Sequence, residues 1–456
     1  MLPEQVRRRI LQPGQWTWPA PLFLVLVTAL LLAASACGGS STPTRPPQTI
    51  ATFTPPEAIS LTTIYGYTHQ RPSGNRYVEG RGNFPNAVTL DIDLSGVPLW
   101  LVAAPFGAGS VWAVALEDGT TQAFLVQDGR AVAMNITPES LPAGAPPVLA
   151  VAGDEVYLLA APTDAASELT HPVPLGGPGR LVFIDHQGDL VLWQNGSETA
   201  RLAVDALPDA RLLVDEQERV LLLTKPSSRY PHGIAGDRLE ATEITLLETR
   251  PSLKTVTRIS IPGQRVVEGI SPIWADLNGD GEREIIVTIS DAEQGAQVVV
   301  YSQSGDQVAA GPAVGRGSRW RHQIAVAPFG VNGELELAEV LTPHIGGVAG
   351  FYRLDGDTLD LVAQQAGVTS HTIGSRNLDM GLAGDLDGDG QPELVVFDQS
   401  FVELTAMRRT EGGIEIAWQT PVGGKAATNL ASVNLGGGIT LGVGRNDGVL
   451  RIWLAP

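Results

Sequence analysis

Asp276-Leu277-Asn278-Gly279-Asp280-Gly281-Glu282-Arg283-Glu284 runs straight into Ile285-Ile286-Val287. The pattern returns as Asp385-Leu386-Asp387-Gly388-Asp389-Gly390-Gln391-Pro392-Glu393, followed by Leu394-Val395-Val396. In both copies oxygen-bearing side chains stand at positions 1, 3, 5 and 9 of a nine-residue turn, with glycine at 4 and 6. A hard cation such as Ca²⁺ takes roughly six to eight oxygens, which a curled loop can supply from alternate residues and a backbone carbonyl. Glycine permits the positive φ that such curling needs. An EF-hand would require a bidentate acid at position 12, flanked by helices. That position is Val287 in one copy and Val396 in the other, inside β-forming runs. Two copies therefore predict two metal loops in a β context, rather than two plain Asn-Gly and Asp-Gly hairpin turns.

The loops begin 385 − 276 = 109 residues apart, and a third turn lies between them. Pro328-Phe329-Gly330-Val331-Asn332-Gly333-Glu334-Leu335-Glu336 keeps Asn332, Gly333 and Glu336 at positions 5, 6 and 9. Pro328 and Gly330 replace the ligands at positions 1 and 3, so this copy reads as a turn whose metal site is lost. The steps are 52 and 57 residues (328 − 276 and 385 − 328). Across the rest of the chain, short Val/Ile/Leu runs such as Val111–Leu116 and Leu181–Ile184 alternate with Gly/Asp/Asn turns, the sign of hairpins. Long runs of helical period are missing, which argues against βαβ units. Repeats of about fifty residues, each with room for four strands, predict an all-β fold: a β-propeller of about seven four-stranded blades over residues 58–456. The ending Asp447-Gly448-Val449-Leu450-Arg451-Ile452-Trp453 is placed to complete a blade begun near the amino terminus.

Together with Ile273-Trp274-Ala275 before one loop and Gly381-Leu382-Ala383-Gly384 before the other, these units resemble FG-GAP/VCBS repeats, as in the propeller of integrin α chains. The resemblance is clearest over residues 265–400, and Phe329-Gly330 matches the Phe-Gly of the family name loosely. It implies calcium bound by the side chains of Asp276, Asn278, Asp280 and Glu284 with the carbonyl of Glu282. In the second loop it implies Asp385, Asp387, Asp389 and Glu393 with the carbonyl of Gln391. In a loop this closed the ion staples a hairpin rather than catalysing a reaction.

The amino terminus reads as an address. Arg7, Arg8 and Arg9 precede an apolar run of fourteen residues, Pro21 to Ala34, too short for a comfortable bilayer span of roughly 20 residues. Ala34-Ser35-Ala36 then leads to Cys37, the one cysteine of the chain. This order resembles a bacterial lipoprotein signal, with Ala34 in the place where leucine is commonest. It implies removal of residues 1–36, a lipid on Cys37 and an extracytoplasmic protein of the cell envelope, anchored to the membrane. Residues 37–57 are rich in Pro, Ser and Thr and read as a tether. The 456 residues carry 30 Lys plus Arg against 49 Asp plus Glu, a net charge of −19, which disfavours a nucleic-acid partner.

No Gly-x-Ser-x-Gly, His-Glu-x-x-His, P-loop or Rossmann fingerprint occurs. Loops at corresponding points of successive blades converge on the axis, which makes His232, His322, His344, His371, Arg376 and Asp379 candidates for one ligand mouth. The plainer reading has each histidine capping a turn. The sequence thus predicts a monomeric, non-enzymatic binding or scaffold module with a protein or carbohydrate partner. The rival is a propeller enzyme, of polysaccharide lyase or hydrolase/dehydrogenase type, with those six residues as its site. Their convergence at the axial mouth would favour the rival.

Overall fold

A computed structural model describes residues 63–455 apart from 178. The signal segment, Cys37 and the tether over 37–57 lie outside the described residues. Among the described residues there are 34 strands and no α-helix. They form antiparallel meanders, each the blade of a β-propeller.

Blade 1 is a hairpin series of four strands, from Pro98–Phe106 to Arg130–Met134. Blade 2 has three: Ile64–Tyr67, Val148–Ala152 and Glu155–Leu158. Blades 3 to 7 follow in chain order. They run from Val173–Pro174 to Ser197–Ala203, Leu213–Val214 to Lys254–Ser260, Val266–Val267 to Gln307–Ala310, Arg321–Ala327 to Thr358–Ala366, and Val368–Thr369 to Gly413–Pro421. Blade 8 takes Ala426–Leu435, Gly438–Arg445 and Val449–Trp453 from the carboxy terminus. Its fourth strand is Thr89–Asp93, in register from Thr89 opposite Trp453 to Asp93 opposite Val449. The terminal strand does complete a blade with a strand from early in the chain. A fifty-residue period counts about seven blades; compact ones such as blade 3, only 173–203, make room for the three-stranded extra sheet.

Burial follows position in the blade. Glu284–Ser290, sandwiched between neighbouring blades, is buried at all seven residues, whereas the outermost Lys254–Ser260 is mostly exposed. Apolar layers fill each gap around the ring. Val102 and Val111 of blade 1 pack with Leu149 and Leu158 of blade 2. On the other side, Leu101 and Trp112 of blade 1 meet Ala431 and Leu450 of blade 8, so the ring is closed. The blades close face to face, so outermost strands such as Gly413–Pro421 keep one free edge.

One segment has no counterpart in the repeats. Residues 70–76 cross the inner strands of five blades as a strap. Val214 N donates to Pro72 O (2.8 Å), Trp274 N to Ser73 O (3.0 Å) and Ala383 N to Arg76 O (2.9 Å). Asn75 exchanges hydrogen bonds with Val326 (2.9 and 3.0 Å), and Gln70 bonds Leu430 and Ser432 of blade 8. The strand Tyr77–Arg81 then runs parallel to Leu382–Asp385.

Candidate functional site

The three nine-residue turns join the same two strands of blades 5, 6 and 7. Strand register puts Glu284 opposite Ala275, Glu336 opposite Ala327 and Glu393 opposite Gly384. Position 9 is therefore the first residue of the second strand in each, and its side chain turns inward. The paired glycines adopt positive φ: 79° and 90° at Gly279 and Gly281, 82° and 97° at Gly388 and Gly390. Such angles let alternate side chains curl toward one point.

In the second loop Asp385, Asp387, Asp389 and Glu393 offer carboxylate oxygens that all lie within 4.8 Å of one another. This is an acidic cluster that could hold a metal ion. Glu393 is 0% exposed, with Oε2 accepting from Leu386 N at 2.8 Å while Oε1 has no partner. Asp385 Oδ1 is likewise buried and unpartnered. Burial first, then Asp387 and Asp385, pushes the Glu393 carboxyl up to about 9. A buried carboxylate oxygen without a partner is costly, and a cation at this point would satisfy both orphan oxygens. On the outer side Arg408 bonds Asp387 (3.3 Å) and Asp389. Gln391, expected to lend a carbonyl, is exposed at position 7, as is Glu282 in the first loop.

The first loop differs by one amide. Asn278 Nδ2 donates to Asp280 Oδ2 (3.0 Å) and Glu284 Oε1 (3.1 Å), while Asp276 accepts from Gly279 N (2.6 Å) and Gly281 N (2.9 Å). Glu284 Oε2 accepts from Leu277 N at 2.8 Å, and burial raises its carboxyl above the usual range. The expected ligand residues are all present, but Asn278 turns its amide nitrogen toward the acids, and Asp276, Asp280 and Glu284 do not gather as closely as the four acids of the second loop. In the third turn Glu336 is also 0% exposed, but Arg353 Nη2 meets Oε1 at 2.6 Å and Arg409 Nε meets Oε2 at 3.0 Å.

The six axial candidates do converge, as links of a packed network. His344 Nε2 donates to His371 Nδ1 (2.7 Å), and His371 Nε2 donates to Ser375 O (2.9 Å). His322 bonds Ser370 Oγ (2.8 Å) and stacks on Trp320 at 4.6 Å. His232 pairs with Glu268, and Arg376 with Asp209 (2.7 Å) and Asp237 (2.9 Å). Asp379 is gripped by Arg76 of the strap (2.6 Å) and Arg211 (3.3 Å). Burial works to raise the Asp379 carboxyl, but the two guanidinium groups outweigh it and hold it far below the carboxylate range. Burial pushes His371 down to about 3 and His344 to about 4. His322, His371 and Asp379 are at most 2% exposed.

The breaks in two inner strands create this network. Blades 5 and 7 interrupt theirs between Val267 and Ile273 and between Thr369 and Leu382, and those excursions carry Glu268 and the His371–Asp379 stretch to the axis. Sequence reading missed Arg76, Arg211 and Glu268. Arg76 and Arg211 lie outside the metal-loop repeats, so periodicity gave no signal for them.

No family model and no curated protein matches this chain. Solved structures do, at the level of fold. A europium-containing methanol dehydrogenase aligns over 83% of this chain and 89% of its own, with a TM-score of 0.53 and 9% identity. The quinohemoprotein alcohol dehydrogenase ADHIIG from Pseudomonas putida HK5 aligns over 85% and 80%, with a TM-score of 0.53 and 11% identity. At such identities the likeness shows the β-propeller and nothing finer.

Proposed function

We propose that this chain is a calcium-binding β-propeller lipoprotein of the FG-GAP/VCBS type, held at the extracytoplasmic face of a membrane through Cys37. It acts as a non-enzymatic binding or scaffold module. The observation that carries the reading is the buried Glu393, whose Oε1 lies unpartnered inside a cage of three aspartates. Oxygen-only donors on a curled loop suit a hard cation. When bound, calcium supplies positive charge that fixes the first hairpin of the blade. Asp385, Asp387, Asp389 and Glu393 hold it in blade 7, and Asp276, Asn278, Asp280 and Glu284 in blade 5. The buried ion pairs of Asp379 with Arg76 of the strap and with Arg211 support a binding role, because they already engage one of the candidate mouth residues.

The test is elemental analysis and calorimetric titration of the mature protein with Ca²⁺ after chelation. Two sites and a melting temperature that falls with EDTA and recovers with Ca²⁺ are expected. Absence of bound metal together with an EDTA-insensitive melt would overturn the reading.

A second reading, a propeller enzyme, is favoured by one observation: His344 and His371 bond each other beside Trp320, whose indole bonds the backbone of Glu268, the partner of His232. Its residues are already bonded to one another, so it requires the network to open for substrate. Loss of a turnover activity in His344→Ala, with an unchanged melt, would favour it.

A further inference from the structure

In blade 6 the inner strand Arg321–Ala327 runs from Trp320 to the turn at Pro328, so the loops beside Trp320 lie at the end opposite the metal turns. Four adjoin there: 228–239 of blade 4, 311–320 between blades 5 and 6, 342–347 of blade 6 and 370–378 of blade 7. Gly374 N donates to Ile234 O (2.9 Å), Thr342 N to Trp320 O (2.8 Å), and His344 bonds His371, which joins them into one surface. From it Ile345 and Ile373 project, 83% and 61% exposed. The four loops carry five arginines and one acid, Asp237, in a chain where Asp and Glu outnumber Lys and Arg by 49 to 30. Arg376 is tied to Asp209 and Asp237, and Arg316 to Glu293 of a flanking loop. Arg229, Arg238 and Arg319 are exposed and have no carboxylate partner among the described residues; the side chains of Arg229 and Arg319 reach only backbone carbonyls.

The amino-terminal strand enters at this same end. Arg211 Nη1 donates to Thr68 Oγ1 (3.0 Å) and, further along both segments, Val214 N donates to Pro72 O (2.8 Å), so the two segments run the same way. Asp209, just before Arg211, holds Arg376 of the loop surface at 2.7 Å. Ile64, ahead of Thr68 on the inner strand of blade 2, therefore emerges on that side, and it is exposed. Cys37 stands 63 − 37 = 26 residues before Thr63. A chain of that length reaches at most roughly 90 Å.

We propose that this loop surface seats on an anionic phospholipid bilayer, with Ile345 and Ile373 entering the boundary between headgroups and acyl chains and Arg229, Arg238 and Arg319 meeting lipid phosphates. Exposed aliphatic tips among cations match a layer that is anionic on top and apolar beneath. The guanidinium fork suits phosphate oxygens. The rest of an acidic body is repelled by such a leaflet, which orients the propeller with this face down. The contact rests on the lipid-anchor reading above for its proximity: a tether from Cys37 raises the local concentration, so that weak contacts suffice. The metal turns lie at the other end of the inner strands, so failure here leaves the calcium reading standing.

The test uses the chain from residue 37 with Cys37→Ser, which contains the whole described propeller and carries no acyl group. It should sediment with phosphatidylglycerol vesicles, less so as salt rises, and bind phosphatidylcholine vesicles roughly tenfold more weakly. Arg238→Gln combined with Arg319→Gln should weaken binding about twentyfold, at about fivefold per charge. Ile345→Ser combined with Ile373→Ser should weaken it roughly tenfold. Val132→Ser, equally exposed but on the outer strand of blade 1, should change nothing. The two pairs lie on different loops, so a variant that lowers the melting temperature leaves the other pair decisive. No binding to phosphatidylglycerol vesicles, binding indifferent to both pairs, or equal binding to phosphatidylcholine overturns the proposal. If it falls while mass spectrometry of the native protein finds Cys37 acylated, the anchor reading stands without the docking face. An unmodified Cys37 with intact vesicle binding does the reverse, leaving the face and removing the anchor.

Discussion

Glu336 and Glu393 occupy the same register position in neighbouring blades, and both side chains are fully buried. They differ in what neutralises them. Glu336 sits in a turn that has lost two of its ligand positions, and Arg353 and Arg409 hold its two oxygens at 2.6 and 3.0 Å. Glu393 keeps all its loop partners, has no arginine on Oε1, and lies among three more carboxylates. A buried carboxylate at this corner of a blade must be offset. One blade does so with guanidinium groups from its own third strand and from the next blade. On the proposed reading the other does so with an ion. Arg408 and Arg409 make the division visible, because successive side chains on a strand point to opposite faces. Arg408 turns to its own blade's loop, and Arg409 crosses to Glu336.

The largest effect should come from breaking the guanidinium solution. Arg409→Met leaves Glu336 buried with Arg353 alone. Removing one partner of a buried ion pair costs about 3–5 kcal/mol, and the remaining arginine places this variant near the lower end. Urea denaturation should show that loss equally in Ca²⁺ and in EDTA. A loss that Ca²⁺ rescues would mean that the turn of blade 6 has a metal site after all.

Next in size is the ion itself. Ca²⁺ at a hundred times its Kd should stabilise the protein by about 2.7 kcal/mol per site, and Glu393→Gln should remove the share of blade 7. The pH dependence has a definite sign. Without cation the folded Glu393 titrates at about 9, above the ordinary carboxylate value of 4.5, so the folded state binds the extra proton. Its contribution is full below about 4.5 and is lost as pH rises through about 9. Melts in EDTA should therefore fall over that window, Glu393→Gln should flatten the fall, and saturating Ca²⁺ should abolish it. A flat profile for wild type in EDTA would break the contrast with Glu336.

A smaller effect sharpens the difference between the two intact loops. Asn278 knits the first loop through amide donors to Asp280 and Glu284. Asn278→Asp replaces two hydrogen bonds with repulsion, so the chelated protein should lose about 1–2 kcal/mol. The Ca²⁺-induced stabilisation should grow in the same variant. A variant melt unchanged in EDTA would show that the amide contributes no cohesion there.

The sequence carried much of this contrast in advance. Spacing among Asp276, Pro328 and Asp385 identified three equivalent turns and the propeller, because a repeat must place equal residues at equal strand registers. It undercounted the sheets, since the fifty-residue period does not hold in compact blade 3. It could not foresee Arg409 as the partner of Glu336: the two are 73 residues apart and meet only through blade packing. The axial histidines were legible as a group but not as a network. Their burial depends on the strap, and Arg76 reaches Asp379 across 303 residues of chain, a distance at which no local pattern operates.

The finest test concerns Arg408, which pairs with Asp387 and Asp389 of the acidic cluster of blade 7, while Arg81 reaches Asp385 at 3.7 Å. Its side chain is 18% exposed and lies on the outer side of the loop, so the ion pairs with Asp387 and Asp389 are partly screened. Pairs of this kind are worth about 0–1 kcal/mol. In the chelated protein Arg408→Ala should therefore cost little. In the presence of Ca²⁺ the sign should reverse, because arginine and cation compete for the same two aspartates. Affinity should rise, by less than about fivefold for ~1 kcal/mol, readable by calorimetry against an unchanged blade 5 site. Weaker Ca²⁺ binding in Arg408→Ala would instead make Arg408 an organiser of the loop. The cluster of blade 7 would then depend on an arginine as Glu336 does, and the two solutions would no longer be distinct.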